Sequence, residues 1–153
     1  MDLTNKLYKV FLIAGSEPLG TAGMQADIKS ISACGGYAAG AITCIVDEDT
    51  IKVKSIQTIP VEMVVSQTYS FLEDVGADCI KTGMLYSQEL VTAIGDVVKK
   101  QSIPIVVDPV MVFLPATSCC RTMQSRPTRI VFSPILPSSR PTGEKPTCYW
   151  ERA

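Results

Sequence analysis

The stretch IAGSEPLGTAGMQAD, Ile13 to Asp27, sets Gly15, Gly20 and Gly23 between an apolar run and a periodic segment. Glycine-rich loops that lead from a strand into a helix often hold phosphate, because their backbone N–H groups can approach an anion closely. The spacing here argues against that use. A P-loop needs Lys and then Ser or Thr after its second glycine, and Thr21-Ala22 stand there instead. A dinucleotide loop needs G-x-G-x-x-G, which these three glycines miss. Packing of a tight turn would also explain them. Asp27 points further, since one helical turn past Gly23 its carboxylate can face the same end of the fold as the loop.

Two other acidic positions could do chemistry. Asp47-Glu48-Asp49 is a charge run that either marks a solvated face or turns one carboxylate inward to hydrogen-bond a polar ligand. Asp108 follows an apolar run and precedes Pro109, as either a turn residue or a ligand in a magnesium or phosphate site. There is no His, which removes Ser-His and Cys-His nucleophile machinery. The six cysteines include no Cys-x-x-Cys pair, so no zinc site is expected. Cys34, Cys44 and Cys79 sit singly in periodic segments and read as buried thiols.

The elements that must position these residues follow from periodicity. Residues 8–15, 37–46, 52–59, 77–85 and 103–112 read as strands, and 23–36, 61–76 and 87–101 as helices. Strands alternating with helices predict an α/β fold, a three-layer arrangement with a mostly parallel sheet and helices on both faces. Ligands of such sheets bind at the carboxyl ends of the strands. Those ends carry residues 15–23, 47–49, 83–85 and 108–111, so the glycine loop and all three acidic positions converge.

A chain of 153 residues with 46% hydrophobic and 19% charged residues is a soluble globular domain by composition. Its net charge of −1 gives no electrostatic case for nucleic acid or a membrane surface, and no apolar run is long enough to span a bilayer. The N-terminus has no signal-peptide layout, so a cytoplasmic location is expected. Composition changes abruptly after Val112. Residues 1–112 hold no arginine, eight Lys and thirteen Asp or Glu; residues 113–153 hold five arginines, one Lys and two Glu. Eight of the ten prolines follow residue 103. The tail alone reads as poorly ordered.

From about Tyr8 to Val112 the chain resembles the hydroxymethylpyrimidine/phosphomethylpyrimidine kinases of thiamine biosynthesis, in the ribokinase-like superfamily. The resemblance rests on IAGSEPLGTAGMQADIKS, AITCIVDEDT, IKTGML and VVDPVMV, in the family's order and at similar spacing. Glu17, Leu19 and Thr21 depart from it, where the family usually has Asp, a small polar residue and Gly. Pyridoxal kinases share the fold, although AGMQADIKS is more similar to the pyrimidine kinases. The resemblance implies that the glycine loop belongs to the pyrimidine pocket. It implies that Asp27 and Glu48 hydrogen-bond the aminopyrimidine, Gly15 gives close backbone approach and Met84 forms a wall. It places Asp108 near the phosphates and Mg2+. The implied reaction is ATP-dependent phosphoryl transfer to the hydroxymethyl group and then to the monophosphate, with a homodimer as the family's assembly.

The family's later half, with an I-T-P-N segment, most of the ATP site and a glycine-rich anion hole, is not found in this reading frame. No residue is therefore assigned as catalytic base, Cys119, Cys120 and Cys148 included. Reading one base earlier, Cys148-Tyr149-Trp150-Glu151 must become Leu-Leu-Gly whatever the codons, while Ser138 to Thr142 permit Ile-Thr-Pro-Asn. Residues 1–112 are accordingly expected to form the N-terminal, substrate-side half of a kinase domain. Residues 113–153 are expected to be a frameshifted tail without homology. The other reading is a non-catalytic small-molecule-binding half-domain, or a pyridoxine or pyridoxal kinase relative.

Overall fold

The computed structural model describes residues 6–110, so the expected tail lies outside the described residues. Within them the order is β1 (Lys9–Ser16), α1 (Gly23–Ala33), β2 (Tyr37–Glu48), β3 (Val53–Thr58), α2 (Val61–Asp74), β4 (Cys79–Thr82), α3 (Gln88–Val98) and β5 (Ile105–Val107). The strands form one five-stranded sheet in the order β3-β2-β1-β4-β5. β1 pairs in parallel with β2 and β4, and β4 with β5; β3 alone runs antiparallel, against the far part of β2.

Apolar alternation on the strands decides which layer each helix joins. Phe11, Ile13, Ala41 and Ile80 face α2 and α3, where Val64, Leu90 and Ile94 close a cluster. Phe11 and Phe71 stack there with ring centroids 4.6 Å apart. The intervening residues Leu12 and Ala14 face Met24 of α1, with Ile28 and Ile31 packed beside it. Helices therefore cover both faces, as the alternation predicts.

Local chemistry sets the ends. Ser87 caps α3, its Oγ accepting from the Leu90 N–H at 3.1 Å, and Pro60 precedes the first turn of α2. α1 stops before Gly35, which takes φ of 78°, a left-handed geometry suited to a residue without Cβ. Gly40 stands opposite Leu12 in the sheet, and a Cβ there would come within 2.2 Å of the Leu12 carbonyl oxygen. Only glycine lets β1 and β2 approach at that point.

Three expectations are corrected. β4 and β5 are shorter than their apolar runs: only three register pairs join them, and Pro104, with no N–H to donate, immediately precedes β5. β2 runs two residues beyond 46, because β3 pairs with it out to Glu48. Cys34 is exposed rather than buried, because it is the C-cap of α1 and lies beyond the helix's sheet-facing stripe. Cys44 is buried.

Candidate functional site

The carboxyl ends of β1, β2, β4 and β5 meet at one edge of the sheet. β1 ends in a bulge, its register against β2 shifting between Ala14 and Ser16. Beyond it the chain turns through residues 17–22 into α1. Glu17 organises this turn. Its side chain is buried, and its Oε2 accepts from the N–H groups of Leu19 (2.5 Å) and Gly20 (2.9 Å). Its Oε1 accepts from those of Thr21 (2.5 Å) and Ala22 (2.8 Å). Burial alone would push this carboxyl up, but the four amides together hold it below the ordinary glutamate range. The amides that a phosphate would need are thus engaged by the protein's own carboxylate. That is the physical reason the glycine loop is no P-loop.

Gln25 ties the loop to the sheet, its Nε2 donating to Ser16 Oγ at 2.6 Å. Gly23 has φ of 57°, and a Cβ on it would lie 2.4 Å from the Gly15 carbonyl oxygen. A Cβ on Gly15 would in turn lie 3.0 Å from Met84 Cε and 3.1 Å from Cys44 Sγ. Gly15 and Met84 are therefore brought together, with the Cys44 thiol beside them. The buried Thr43 hydroxyl donates to the Met84 carbonyl at 2.7 Å, fixing the segment after β4. In that segment Tyr86 takes φ of 65°, uncommon for a residue with a side chain.

Glu48 closes the end of β2. Burial pushes its carboxyl up, and the negative charges of Glu17 and Asp49 add to the effect. Asp49 instead caps the hairpin turn, accepting from the N–H groups of Ile51 and Lys52. Within the acidic run, Glu48 is thus the member with Glu17 as a charge neighbour.

Asp27 meets a residue that the spacing did not single out. Its Oδ2 lies 2.5 Å from Lys81 Nζ, both side chains largely shielded from solvent. The same ammonium stands 3.9 Å from Asp108, whose side chain is more than half exposed. Asp108 is held by its backbone, its N–H donating to the Thr82 carbonyl at 2.9 Å. Two groups result at this edge: Gly15 with Met84, and Asp27 with Asp108 through Lys81. Glu48 stands near Glu17. The signal for Lys81 was available in CIKT, a lysine inside a short buried parallel strand, where a charge needs a partner.

No set of three or more potential metal ligands occurs among the described residues. Asp108 offers one carboxylate, which fits a magnesium ion carried mainly by nucleotide phosphates rather than a protein cage.

Residues 17–133 match the protein family described as phosphomethylpyrimidine kinase. The hydroxymethylpyrimidine/phosphomethylpyrimidine kinase of Streptomyces coelicolor is 35% identical over 134 residues, covering 83% of this chain and 50% of that protein. A probable thiamine biosynthetic bifunctional enzyme of rice, chloroplastic, is 40% identical over 104 residues, which are 67% of this chain and 19% of the enzyme. Among solved structures, the phosphomethylpyrimidine kinase of Clostridium difficile superposes with a TM-score of 0.66 at 34% identity, over 72% of this chain and 48% of that one. The pyridoxal kinase of Staphylococcus aureus, in complex with AMP-PCP and pyridoxal, gives a TM-score of 0.64 at 38% identity, over 70% of this chain and 40% of that one. The chain spans half or less of the length of these relatives.

Proposed function

The chain belongs to the phosphomethylpyrimidine kinase family, and from that premise we propose that it supplies the substrate-binding half of an ATP-dependent pyrimidine kinase. The substrates are 4-amino-5-hydroxymethyl-2-methylpyrimidine and its monophosphate. The observation that carries this reading is the gathering of polar side chains at one sheet edge on the α1 side. Glu17, Glu48, Asp27, Lys81 and Asp108 lie there, at the strand ends where α/β sheets bind ligands.

In this proposal Gly15 lets the pyrimidine ring approach the backbone, and the flexible Met84 side chain packs against the ring. Asp27 and Glu48 receive the ring's amino and nitrogen edge. Burial and the charges of Glu17 and Asp49 push the Glu48 carboxyl up, and its oxygens would accept from the amino group. Asp108 would hold magnesium through one carboxylate oxygen, and the ion would neutralise charge on the transferring phosphoryl group. The described residues bind and orient the substrate. No described side chain is assigned as the base for the hydroxymethyl group. The location proposed is the cytoplasm, and the assembly a homodimer. The tail after Val112 is proposed to be read out of frame, although the family match runs on to residue 133; sequencing the native transcript across codons 105 to 153 tests it.

Titration of the purified chain with the hydroxymethylpyrimidine in a calorimeter tests the pocket, and an ATP-dependent phosphorylation assay tests turnover. Binding without turnover supports the substrate-half reading. Absence of binding refutes it. The likeness to a pyridoxal kinase makes pyridoxal the competitor to include, and tighter binding of pyridoxal would move the substrate assignment to that relative.

A further inference from the structure

We propose that Lys81 is a positioning residue of the pyrimidine site: its ammonium fixes the Asp27 carboxylate in the orientation that receives the substrate's exocyclic amino group. This rests on the pyrimidine-kinase reading above.

Lys81 occupies an interior strand, with Leu12 of β1 in register on one side and Val106 of β5 on the other. Its neighbours Ile80 and Thr82 are buried on the opposite face. A lysine in such a place is disfavoured unless an acid meets it. Asp27 does so from across the layer, 54 residues away in sequence and 2.5 Å away in space. Asp27 in turn lies on the sheet-facing stripe of α1, beside the buried Met24 and the packed Ile28 and Ile31. A carboxylate among those apolar side chains has its rotamer selected by Lys81, the one cation that reaches it among the described residues.

The cluster is one positive charge short. Two carboxylates, Asp27 and Asp108, share one ammonium, so the group carries a net charge of −1. One carboxylate oxygen of Asp27 is taken by Lys81, which leaves the other to accept from an incoming N–H donor. The aminopyrimidine carries such a donor on its exocyclic nitrogen. Lys81 thus acts through Asp27 and makes no claim on the substrate itself.

The test is calorimetric titration of the whole 153-residue chain with two probes. One is 4-amino-5-hydroxymethyl-2-methylpyrimidine, the other the same molecule without its amino group. In the unaltered chain the amino compound binds more tightly. In Lys81→Met its affinity falls about 10- to 100-fold, the loss of one charge-assisted hydrogen bond, while the other probe changes by less than about threefold. Lys81→Arg, which keeps the charge, retains most of the preference. Partial unfolding lowers both affinities equally and leaves their ratio intact, so the ratio separates positioning from stability. Should Lys81→Met fail to fold, Lys81→Gln carries the same expectation.

An unchanged preference in the neutral variants overturns the inference, as does an equal loss for both probes. A wild-type chain that binds both probes alike keeps the pyrimidine reading and overturns the role given to Asp27 and Lys81. A wild-type chain that binds neither overturns both.

Discussion

On the face covered by α2 and α3, Phe11, Ile13 and Ile80 point into a cluster closed by Val64, Leu90 and Ile94; under α1, the next residues of the same strands are Leu12, Ala14 and Lys81. On the first face the buried Thr68 is satisfied within its own helix, its hydroxyl donating to the Val64 carbonyl at 2.7 Å. The second gathers Glu17, Gln25, Asp27 and Lys81 within reach of one sheet edge. Because strand side chains alternate, one strand can serve both purposes at once. β4 does so in adjacent residues: Ile80 is core, and Lys81 pairs with Asp27 and Asp108. If the polar side is the pyrimidine site proposed above, the α2/α3 face can be altered with limited effect on recognition, whereas the loop residues Glu17 and Gly23 serve both.

The sharpest way to break this division is Ile80→Ala. It should cost about 2–5 kcal/mol in urea unfolding, through lost burial and a residual cavity. The folded fraction should keep its pyrimidine affinity, and a parallel loss of affinity would mean the faces are coupled. Glu17→Gln comes next, at about 2–3 kcal/mol, because an amide nitrogen would face N–H donors in place of a carboxylate oxygen. Since the folded Glu17 carboxyl titrates below its unfolded value, the stabilisation is present above the ordinary glutamate range. It is lost as pH falls through the folded value. Thermal melts between about pH 6 and pH 3 should show that acid loss in the wild type and a flatter profile in the variant.

Gly23→Ala should cost about 1–3 kcal/mol, because its Cβ would meet the Gly15 carbonyl at 2.4 Å on a backbone with φ of 57°. It should also weaken pyrimidine binding, read by calorimetry, as that carbonyl is displaced. Binding that survives unchanged would remove Gly15 from the pocket. The smallest effect belongs to Glu48→Gln, with the opposite sign to Glu17. A carboxyl whose folded value is raised favours folding below its unfolded value, and that advantage is lost as pH rises through the folded one. The variant should therefore match or slightly exceed wild-type stability at neutral pH. A clear loss there would show that ionised Glu48 is stabilising.

Element types and order were legible because each strand carried a short apolar run and each helix a longer periodic one, with Gly35 and Pro60 as punctuation. Strand lengths were less so: the apolar runs around β4 and β5 outlast their ladders, since pairing depends on what the neighbouring strand offers. Of the proposed site, Gly15, Asp27, Glu48, Met84 and Asp108 stand in motifs that the sequence displays. Lys81 carries little signal because its partners Asp27 and Asp108 are distant in sequence. The loop's carboxylate cradle was invisible for another reason. Glu17 reads as an ordinary surface acid until the turn folds four backbone groups around it.

That cradle has a kinetic consequence. The amides of Leu19, Gly20, Thr21 and Ala22 all end on one carboxylate, so a single protonation loosens four hydrogen bonds together. In hydrogen–deuterium exchange these four should open as one unit, even though none belongs to a helix or strand ladder. The segment would then behave as a small cooperative clasp with its own opening free energy, reporting the state of the site while the sheet behind it stays closed.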